Sequence, residues 1–287
     1  MRCHEGFIFE VGGRRYVDGG EVGGGGLATV YSAVDKETGE VVAVKFYDPG
    51  LDDSEVGLFL ENSVRTHELL GASQRFPKLH CIGQDSYVMD FIDGTNLCEF
   101  SQITEQEALA ITYGLAACLV EFHGCRSENP IVHRDIKPSN LIIGKNGRVH
   151  LADFDLAYID EQSVDGTDRQ IGTPEFLSPE QIKGTPVLPI SDLFSVGSTL
   201  FNLFTGNFVW EAEDYIRSED VETNTRTALV DFDGGSIKEV IAACWRLDGS
   251  YKNAEHMADE LADRLRVVGV DPERSNEILV GLVKKSA

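Results

Sequence analysis

The stretch 132–143, "VHRDIKPSNLII", sets several ionisable side chains between strongly apolar flanks. These side chains suit a chemical task, because Asp135 can accept a proton from a hydroxyl and Asn140 can ligate a metal ion. A solvated turn between two strands is the alternative, since Pro138, Ser139 and Asn140 are common turn residues. The stretch alone does not decide between the two interpretations.

A second acidic side chain lies in "LADFDLA" (151–157), where Asp153 follows an apolar strand. A carboxylate at that point can bind Mg²⁺ that bridges phosphate oxygens, because hard cations prefer oxygen ligands. Taken singly, Asp135, Asn140 and Asp153 are also acceptable as cap or turn residues. Their order along the chain, behind a glycine loop and a strand lysine, favours the chemical interpretation.

The glycine loop is "GGGGLATV" (23–30), between two predicted strands. Gly23 and Gly25 allow the backbone to approach a polyphosphate and direct amide groups at it, although a glycine run alone is more typical of a flexible turn. Lys45 ends the apolar strand "VAVK" and is either an exposed strand end or a cation aimed at phosphate. Such a lysine needs an acidic partner, for which we expect Glu61, with Glu68 as the alternative.

Composition limits the class of protein. The 287 residues are 42% hydrophobic, which suits a globular chain, and the net charge of −23 argues against nucleic acid as the main partner. The six scattered cysteines predict reduced thiols, and the most apolar run, 108–120, is too short to span a membrane. We therefore expect a cytoplasmic protein without a membrane anchor.

The predicted elements change in type along the chain. Strands are predicted at 7–17 (a hairpin around Gly12 and Gly13), 28–35, 40–47 and 86–92, with one helix over 54–70. Beyond the boundary near Asp93 and Gly94, helices are predicted at 105–122, 191–205, 236–246 and 253–268, with short strands "NLII" and "RVHLAD". This distribution predicts two lobes, residues 1–93 and 94–287.

Motifs in a fixed order now point to a family. "GGGGLATV" fits G-x-G-x-x-G-x-V with Ala28 at the third glycine, "VAVK" fits a strand lysine, "HRDIKPSN" a catalytic loop and "DFD" a metal-binding DFG. "GTPEFLSPE" (172–180) fits the end of an activation segment, and "SDLFSVG" (191–197) fits a helix whose Asp192 holds the catalytic loop. In "DGSYK" (248–252), Lys252 stands where an arginine would pair with Glu180. In these motifs the chain resembles the eukaryotic-type serine/threonine protein kinases over nearly its whole length.

The resemblance implies an α+β, two-lobed fold and phosphoryl transfer from Mg-ATP to serine or threonine hydroxyls of protein substrates. Asp135 would accept the hydroxyl proton, Lys137 would offset charge on the transferring group, and Asn140 and Asp153 would hold Mg²⁺. Lys137, two residues after Asp135, and Thr173 in "GTPEF" resemble the residues that serine/threonine kinases, rather than tyrosine kinases, have at these positions. The oligomeric state is left open by the sequence.

The same resemblance implies an adenine site. Val30 and Ala43 would lie above the ring and Ile142 below it. Met89 would be the gatekeeper, and the backbones of Asp90 and Ile92 would supply hydrogen bonds.

Two departures support other interpretations. Ala28 and Asp155, which replaces the DFG glycine, leave a nucleotide-binding pseudokinase or scaffold as an alternative, although Lys45, Asp135, Asn140 and Asp153 are all present and argue against it. A small-molecule kinase of the same fold is a further alternative, against which the "SPE" motif at the end of the activation segment argues. Regulation is also open. Arg134 is expected to dock a phosphate on Thr167 or Ser163, unless nearby acidic residues satisfy it permanently.

Overall fold

The chain divides into two compact units, Met1–Asp93 and Gly94–Ala287, in a computed structural model. The structure describes residues 6–126, 130–159, 172–209, 221–230, 232–247 and 249–286. Within these ranges no helix combines the length and the apolar character that crossing a membrane requires.

The first unit is a six-stranded antiparallel sheet in the order β1-β2-β3-β4-β6-β5 with one helix. Its strands are β1 (Ile8–Val11), β2 (Arg14–Gly24), β3 (Ala28–Asp35), β4 (Val41–Tyr47), β5 (Leu79–Ile82) and β6 (Ser86–Asp90). Helix α1 (Asp53–Leu70) begins where the Asp52 carboxylate accepts from the amides of Ser54 and Glu55, both at 2.9 Å. This cap satisfies amides that have no partner within the helix.

Successive side chains of β4 point to opposite faces of the sheet, and each face packs into its own apolar layer in the first unit. Val42 and Val44 face a cluster with Val11, Tyr16, Ala33 and Val88. Ala43 and Tyr47 face the other side, toward a cluster with Ala28, Val56, Tyr87 and Met89. Lys45 lies on this second face, so the pleat of β4 directs its side chain into a mainly apolar layer.

The second unit is mostly helical. Its helices are α2 (Glu105–Gly124), α3 (Pro179–Lys183), α4 (Pro189–Thr205), α5 (Val221–Val230), α6 (Ser236–Cys244), α7 (Ala254–Val267) and α8 (Ser275–Ser286). Helix α2 starts with a capping box, in which Thr104 Oγ1 accepts from the Glu107 amide and Glu107 Oε2 accepts from the Thr104 amide. Its buried residues include Leu109, Leu115 and Phe122.

A small three-stranded sheet, β7 (Gly94–Asn96), β8 (Leu141–Gly144) and β9 (Val149–Leu151), completes the second unit. Both strand pairs are antiparallel, and β8 is central. Short 3₁₀ segments cover 97–99, 138–140, 174–176 and 272–274. The segment at 138–140 leads directly into β8.

The predicted α+β class is confirmed, as are the helices expected near 54–70, 105–122, 191–205, 236–246 and 253–268. Five described strands and helices were not predicted: β5, β7, α3, α5 and α8. Strand β7 has the sequence Gly-Thr-Asn, which is typical of a turn, and it becomes a strand only through its pairing with β8. Helix α5 has four threonine or asparagine residues among ten, so its sequence gives little helical signal.

Candidate active site

The glycine loop is a tight hairpin between β2 and β3. The Gly25 amide donates to the Ala28 carbonyl at 2.9 Å, and Gly23 lies opposite Val30 in the register. A Cβ added to Gly23 or Gly25 would meet no described atom within 4 Å, and neither residue has a positive φ. The described fold therefore does not itself require glycine at these two positions.

One face of the first unit's sheet collects several predicted nucleotide contacts. The register pairs Val30 with Lys45, and Ala43 with Met89. Because cross-strand partners share a face and alternate residues do too, all four side chains lie on the same face. Ala43, Lys45 and Met89 are buried, and Val30 is partly buried.

The Lys45 ammonium group lies among aromatic rings. Its Nζ is 5.8 Å from the ring centroid of Tyr47 and 6.0 Å from that of Tyr87, distances at which a cation is attracted to the ring faces. Only 4% of Lys45 is exposed. The apolar sheet face thus holds the charge at a defined place.

The acidic partner expected for Lys45 stays a prediction. Glu61 and Glu68 are both exposed on α1. The polar side chains that α1 buries are different ones: Asn62, Ser63, Thr66 and His67. Ser63 Oγ is 3.2 Å from the Tyr87 hydroxyl, so a neutral hydrogen bond joins α1 to the strand beside Lys45.

The residues expected to bind adenine through their backbones lie at and just beyond the end of β6. The Asp90 amide donates to the Lys78 carbonyl at 2.9 Å, and the Asp90 carboxylate contacts His80 Nε2 at 2.7 Å. These contacts fix the strand end. Ile92 follows two residues later and is partly buried.

The Asp135 carboxylate is the centre of the second unit's polar network. Oδ1 accepts from the Thr173 amide at 3.1 Å and its hydroxyl at 2.9 Å. Oδ2 lies 2.8 Å from Lys137 Nζ and accepts from Asn140 Nδ2 at 2.9 Å. Lys137 Nζ also donates to Thr173 Oγ1 at 2.6 Å. Four neighbouring groups therefore orient one buried carboxylate, so the opening stretch is not a solvated turn.

His133 links the two loops of this site through a neutral ring. Its Nδ1 accepts from the Asp135 amide at 3.3 Å, and its Nε2 lies 3.2 Å from the Ala152 carbonyl. Burial lowers the pKa of His133, and this outweighs the nearby carboxylates of Asp192, Asp135 and Asp153, which raise it. The neutral form with the proton on Nε2 suits both contacts.

Asp192 at the start of α4 anchors the backbone of the same loop. Its carboxylate accepts from the amides of His133 at 2.8 Å and Arg134 at 2.9 Å, and from His123 Nε2 at 2.9 Å. Burial raises the pKa of Asp192, but the contacts with His123 and His133 outweigh it, so the pKa is lowered overall. His123 was not identified from the sequence, because a single histidine near the end of an apolar helix gives no distinct signal.

Arg134 is buried, with 4% of it exposed, and has a φ of 67°. Its Nε donates to the Leu156 carbonyl at 2.6 Å, and its guanidinium carbon lies 5.6 Å from the centre of the Tyr158 ring. Ser163 and Thr167, the expected phosphate sites, lie outside the described residues.

The two predicted metal ligands flank one hairpin. Asn140 directly precedes β8, Asp153 lies two residues after β9, and the Ala152 amide donates to the Asn140 carbonyl at 3.0 Å. Asn140 Nδ2 donates to the main-chain carbonyl of Asp135 and to Asp135 Oδ2. The amide oxygen Oδ1 of Asn140 therefore faces away from Asp135, and as an acceptor it can serve as a metal ligand. An amide oxygen and a carboxylate form a hard donor set that fits Mg²⁺. Among the described residues no cluster of three or more His, Cys, Asp or Glu side chains forms a denser metal site.

The residues after Asp153 pack into the core. The Phe154 ring lies 5.7 Å from that of Phe122 and 5.8 Å from that of His133. Asp155, which replaces a glycine in the motif, is 1% exposed. The positive φ falls on Asp153, at 68°, and not on Asp155, so the change from glycine causes no left-handed backbone strain.

The prediction that Lys252 stands where the partner of Glu180 would be is wrong. Lys252 is exposed, and Arg246, two residues after the end of α6, pairs with Glu180 instead. Arg246 Nη1 contacts Glu180 Oε1, and Nη2 donates to Glu180 Oε2 at 3.3 Å and to the Ile190 carbonyl at 3.1 Å. Burial raises the pKa of Glu180, but Arg246 outweighs it and lowers the pKa overall. Arginine reaches both oxygens because its planar fork matches a carboxylate.

Sequence comparison agrees with this geometry. The protein kinase domain family matches residues 16–265. The chain belongs to the protein kinase domain family.

Curated relatives of the chain carry kinase names. It is 29% identical over 206 residues to the serine/threonine-protein kinase PrkC of Bacillus subtilis, with 68% of this chain and 31% of PrkC covered. It is 30% identical over 207 residues to the serine/threonine-protein kinase PknB of Mycobacterium leprae, with 67% of this chain and 32% of PknB covered. The chain therefore spans about a third of the length of these relatives.

Proposed function

We propose that the chain transfers the γ-phosphoryl group of ATP, with Mg²⁺, to serine or threonine hydroxyls of protein substrates. The observation that carries this proposal is the Asp135 carboxylate, buried and oriented by Lys137, Asn140 and Thr173. A carboxylate held in this way suits the acceptance of a proton from an attacking hydroxyl. The serine/threonine kinase names of the relatives support the same reaction.

The second unit supplies the groups that act on the reacting atoms. Asp135 orients the acceptor hydroxyl and takes its proton, and Lys137 places positive charge beside the transferring group. Asn140 and Asp153 would hold Mg²⁺, which supplies neutralisation of the phosphate charge. Because the His133 ring and the Asp192 carboxylate fix this loop before substrate arrives, little reorganisation is needed during the reaction.

The first unit supplies groups for the nucleotide. Lys45 provides a buried cation for phosphate, and the Gly23 and Gly25 backbone can approach phosphate oxygens closely. The absence of a described structural need for glycine at these positions supports a role toward a ligand. Val30, Ala43 and Met89 offer an apolar surface for adenine, and the backbones of Asp90 and Ile92 would supply hydrogen bonds to it. The contact expected from Ile142 stays a prediction from the sequence.

We propose a cytoplasmic location for this domain. None of the five cysteines that the structure describes takes part in a disulfide. Free thiols are typical of a reducing compartment. The acidic surface, with its net charge of −23, favours protein substrates over nucleic acid.

Transfer of labelled phosphate from ATP to a generic protein substrate, with Mg²⁺, tests the proposal. We expect incorporation by the wild type and a fall of about 10²–10⁴-fold for Asp135→Asn, since a general base contributes on that order. In this variant the NH₂ group of the asparagine, a hydrogen-bond donor, would lie against Lys137 and Thr173, which are donors too. Nucleotide affinity by calorimetry should be nearly unchanged.

Substantial activity in Asp135→Asn would refute the assigned base. Nucleotide binding by the wild type without any transfer to protein would instead favour a scaffold. Phosphoamino-acid analysis of the labelled product would separate serine and threonine from tyrosine acceptors.

A further inference from the structure

The two proposed Mg²⁺ ligands depend on a short hairpin. Strands β8 and β9 have four and three residues, and three residue pairs join them. Asn140 and Ala152, which precedes Asp153, close the open end with the hydrogen bond described above. A hairpin this short is marginal by itself, so its neighbours must fix its position.

The other end of this hairpin is a tight turn. The Gly144 amide donates to the Arg148 carbonyl at 2.9 Å, and the Gly147 amide donates to the Gly144 carbonyl at 2.8 Å. The Asn146 side chain accepts from the Arg148 amide at 3.0 Å. These bonds make the turn a rigid continuation of the two strands.

Helix α8 lies directly against this turn. A Cβ on Gly147 would be 2.0 Å from the Asn276 carbonyl oxygen, whereas real Cβ atoms keep at least 3.0 Å. Helix α8 also packs against β7, β8 and α2. The backbone contact between Gly147 and Asn276 therefore fixes how far the hairpin can tilt.

The far end of α8 is tied to α2. Lys285 Nζ lies 2.8 Å from Glu107 Oε1, and the same carboxylate accepts from Thr104 Oγ1 at 2.9 Å. The Glu107 side chain is 7% exposed and that of Lys285 is 68% exposed. Leu279, Leu282 and Val283 are buried on the intervening turns of the helix. Apolar packing and one ion pair thus hold α8 in a single position on α2.

We propose that α8 is a positioning element for Asn140 and Asp153, acting through its contact with the Gly147 turn. This inference rests on the proposed function, because it concerns the Mg²⁺ ligands of that reaction. Helix α8 lies beyond residue 265, where the family match ends. Groups that orient metal ligands without touching the metal typically change metal affinity by about 10–100-fold.

Gly147→Ala tests the contact, with Gly269→Ala as the matched control. Gly147 has a φ of 78° and Gly269 a φ of 80°, but a Cβ on Gly269 would meet no described atom within 4 Å. The two variants share the left-handed strain and differ in the collision with Asn276. Accommodating that Cβ requires a shift of about 1 Å, the difference between 3.0 and 2.0 Å.

Calorimetric titration of the full chain with ADP, at a series of Mg²⁺ concentrations and without Mg²⁺, provides the readout. We expect Gly147→Ala to raise the Mg²⁺ concentration for half-maximal ADP binding by about 10-fold, with Mg²⁺-free affinity unchanged. Gly269→Ala should match the wild type. A purely structural loss would instead weaken ADP binding both with and without Mg²⁺, and this outcome would overturn the proposal. Equal Mg²⁺ dependence of ADP binding in the two glycine variants would also overturn it.

Lys285→Met decides the question if Gly147→Ala does not fold. It removes the ion pair with Glu107 without a collision, and Lys284→Met is its control, because Lys284 is an exposed neighbour outside that contact. Because the Lys285 side chain is largely exposed, its ion pair contributes little, and we expect a rise of only about 3-fold in the required Mg²⁺, for Lys285→Met only. Equal values for the two lysine variants would overturn the inference. A wild type without Mg²⁺-dependent ADP binding would overturn the proposed function itself, and this inference with it.

Discussion

Arg246 is expected to stabilise the second unit, and replacing it separates two effects. Its guanidinium binds both oxygens of Glu180 and also the Ile190 carbonyl. Arg246 is also one of three described non-glycine residues with a positive φ, at 59°. Arg246→Ala removes the contacts and keeps the strained backbone, whereas Arg246→Gly removes the contacts and relieves the strain.

The side chains of Arg246 and Glu180 are 27% and 21% exposed, so the pair lies between a fully exposed and a fully buried ion pair. Exposed pairs contribute about 0–1 kcal/mol, and breaking a buried pair costs about 3–5 kcal/mol. We therefore expect Arg246→Ala to lower the free energy of unfolding by about 2 kcal/mol. A non-glycine residue in the left-handed region costs about 1 kcal/mol, so Arg246→Gly should lose only about 1 kcal/mol.

Urea denaturation followed by tryptophan fluorescence measures this loss. The chain has two tryptophans, Trp210 and Trp245, and Trp245 is buried in the second unit, so its signal follows that unit. Lys252→Ala is the control, because Lys252 is exposed and takes no part in the Glu180 contact. Its midpoint should equal that of the wild type.

The pH dependence gives a second check on the same pair. Because the pKa of Glu180 is lowered in the folded state, its stabilisation is present above the ordinary value of 4.5 and is lost as the pH falls through the lowered pKa. The difference between wild type and Arg246→Ala should therefore shrink below pH 4.5. If Lys252→Ala destabilises the unit as much as Arg246→Ala does, or if glycine at 246 is no better than alanine, the reasoning is refuted.

Three further predictions concern the site. Asp153→Ala should weaken Mg²⁺-dependent nucleotide binding by about 100-fold in calorimetry, and binding as tight as that of the wild type would contradict the metal assignment. Burial lowers the pKa of His133 below its ordinary value of 6.5. Just below pH 6.5 this histidine is therefore protonated only in the unfolded chain, and the free energy of unfolding falls as the pH drops below that value. His133→Phe should reduce that loss between pH 6.5 and 5.5, measured by urea midpoints, by at most about 1.4 kcal/mol. Mass spectrometry after incubation with ATP should find phosphate on Thr167 or Ser163, and unmodified segments with full activity in both alanine variants would favour a constitutively active kinase.

Much of the site could be predicted because its residues are close in sequence. Asp135, Lys137 and Asn140 lie within six residues, and the structure places all three in one hydrogen-bonded group. Asp192 was identified from its motif, and it binds the loop amides as expected. Other partners could not be predicted. Lys252 matched a motif position, but only the turn after α6 decides that Arg246 reaches Glu180.

The sequence by itself determined the order of the motifs, the type of the longer elements and the family. These follow from local patterns, because the period of apolar residues and the caps act within a few residues. Only the tertiary structure decided which distant groups meet. Thr173 binds Asp135 from 38 residues away, and Arg246 binds Glu180 from 66 residues away. Such pairs depend on how whole helices and loops pack, and a pattern read over a few neighbouring residues does not contain that information.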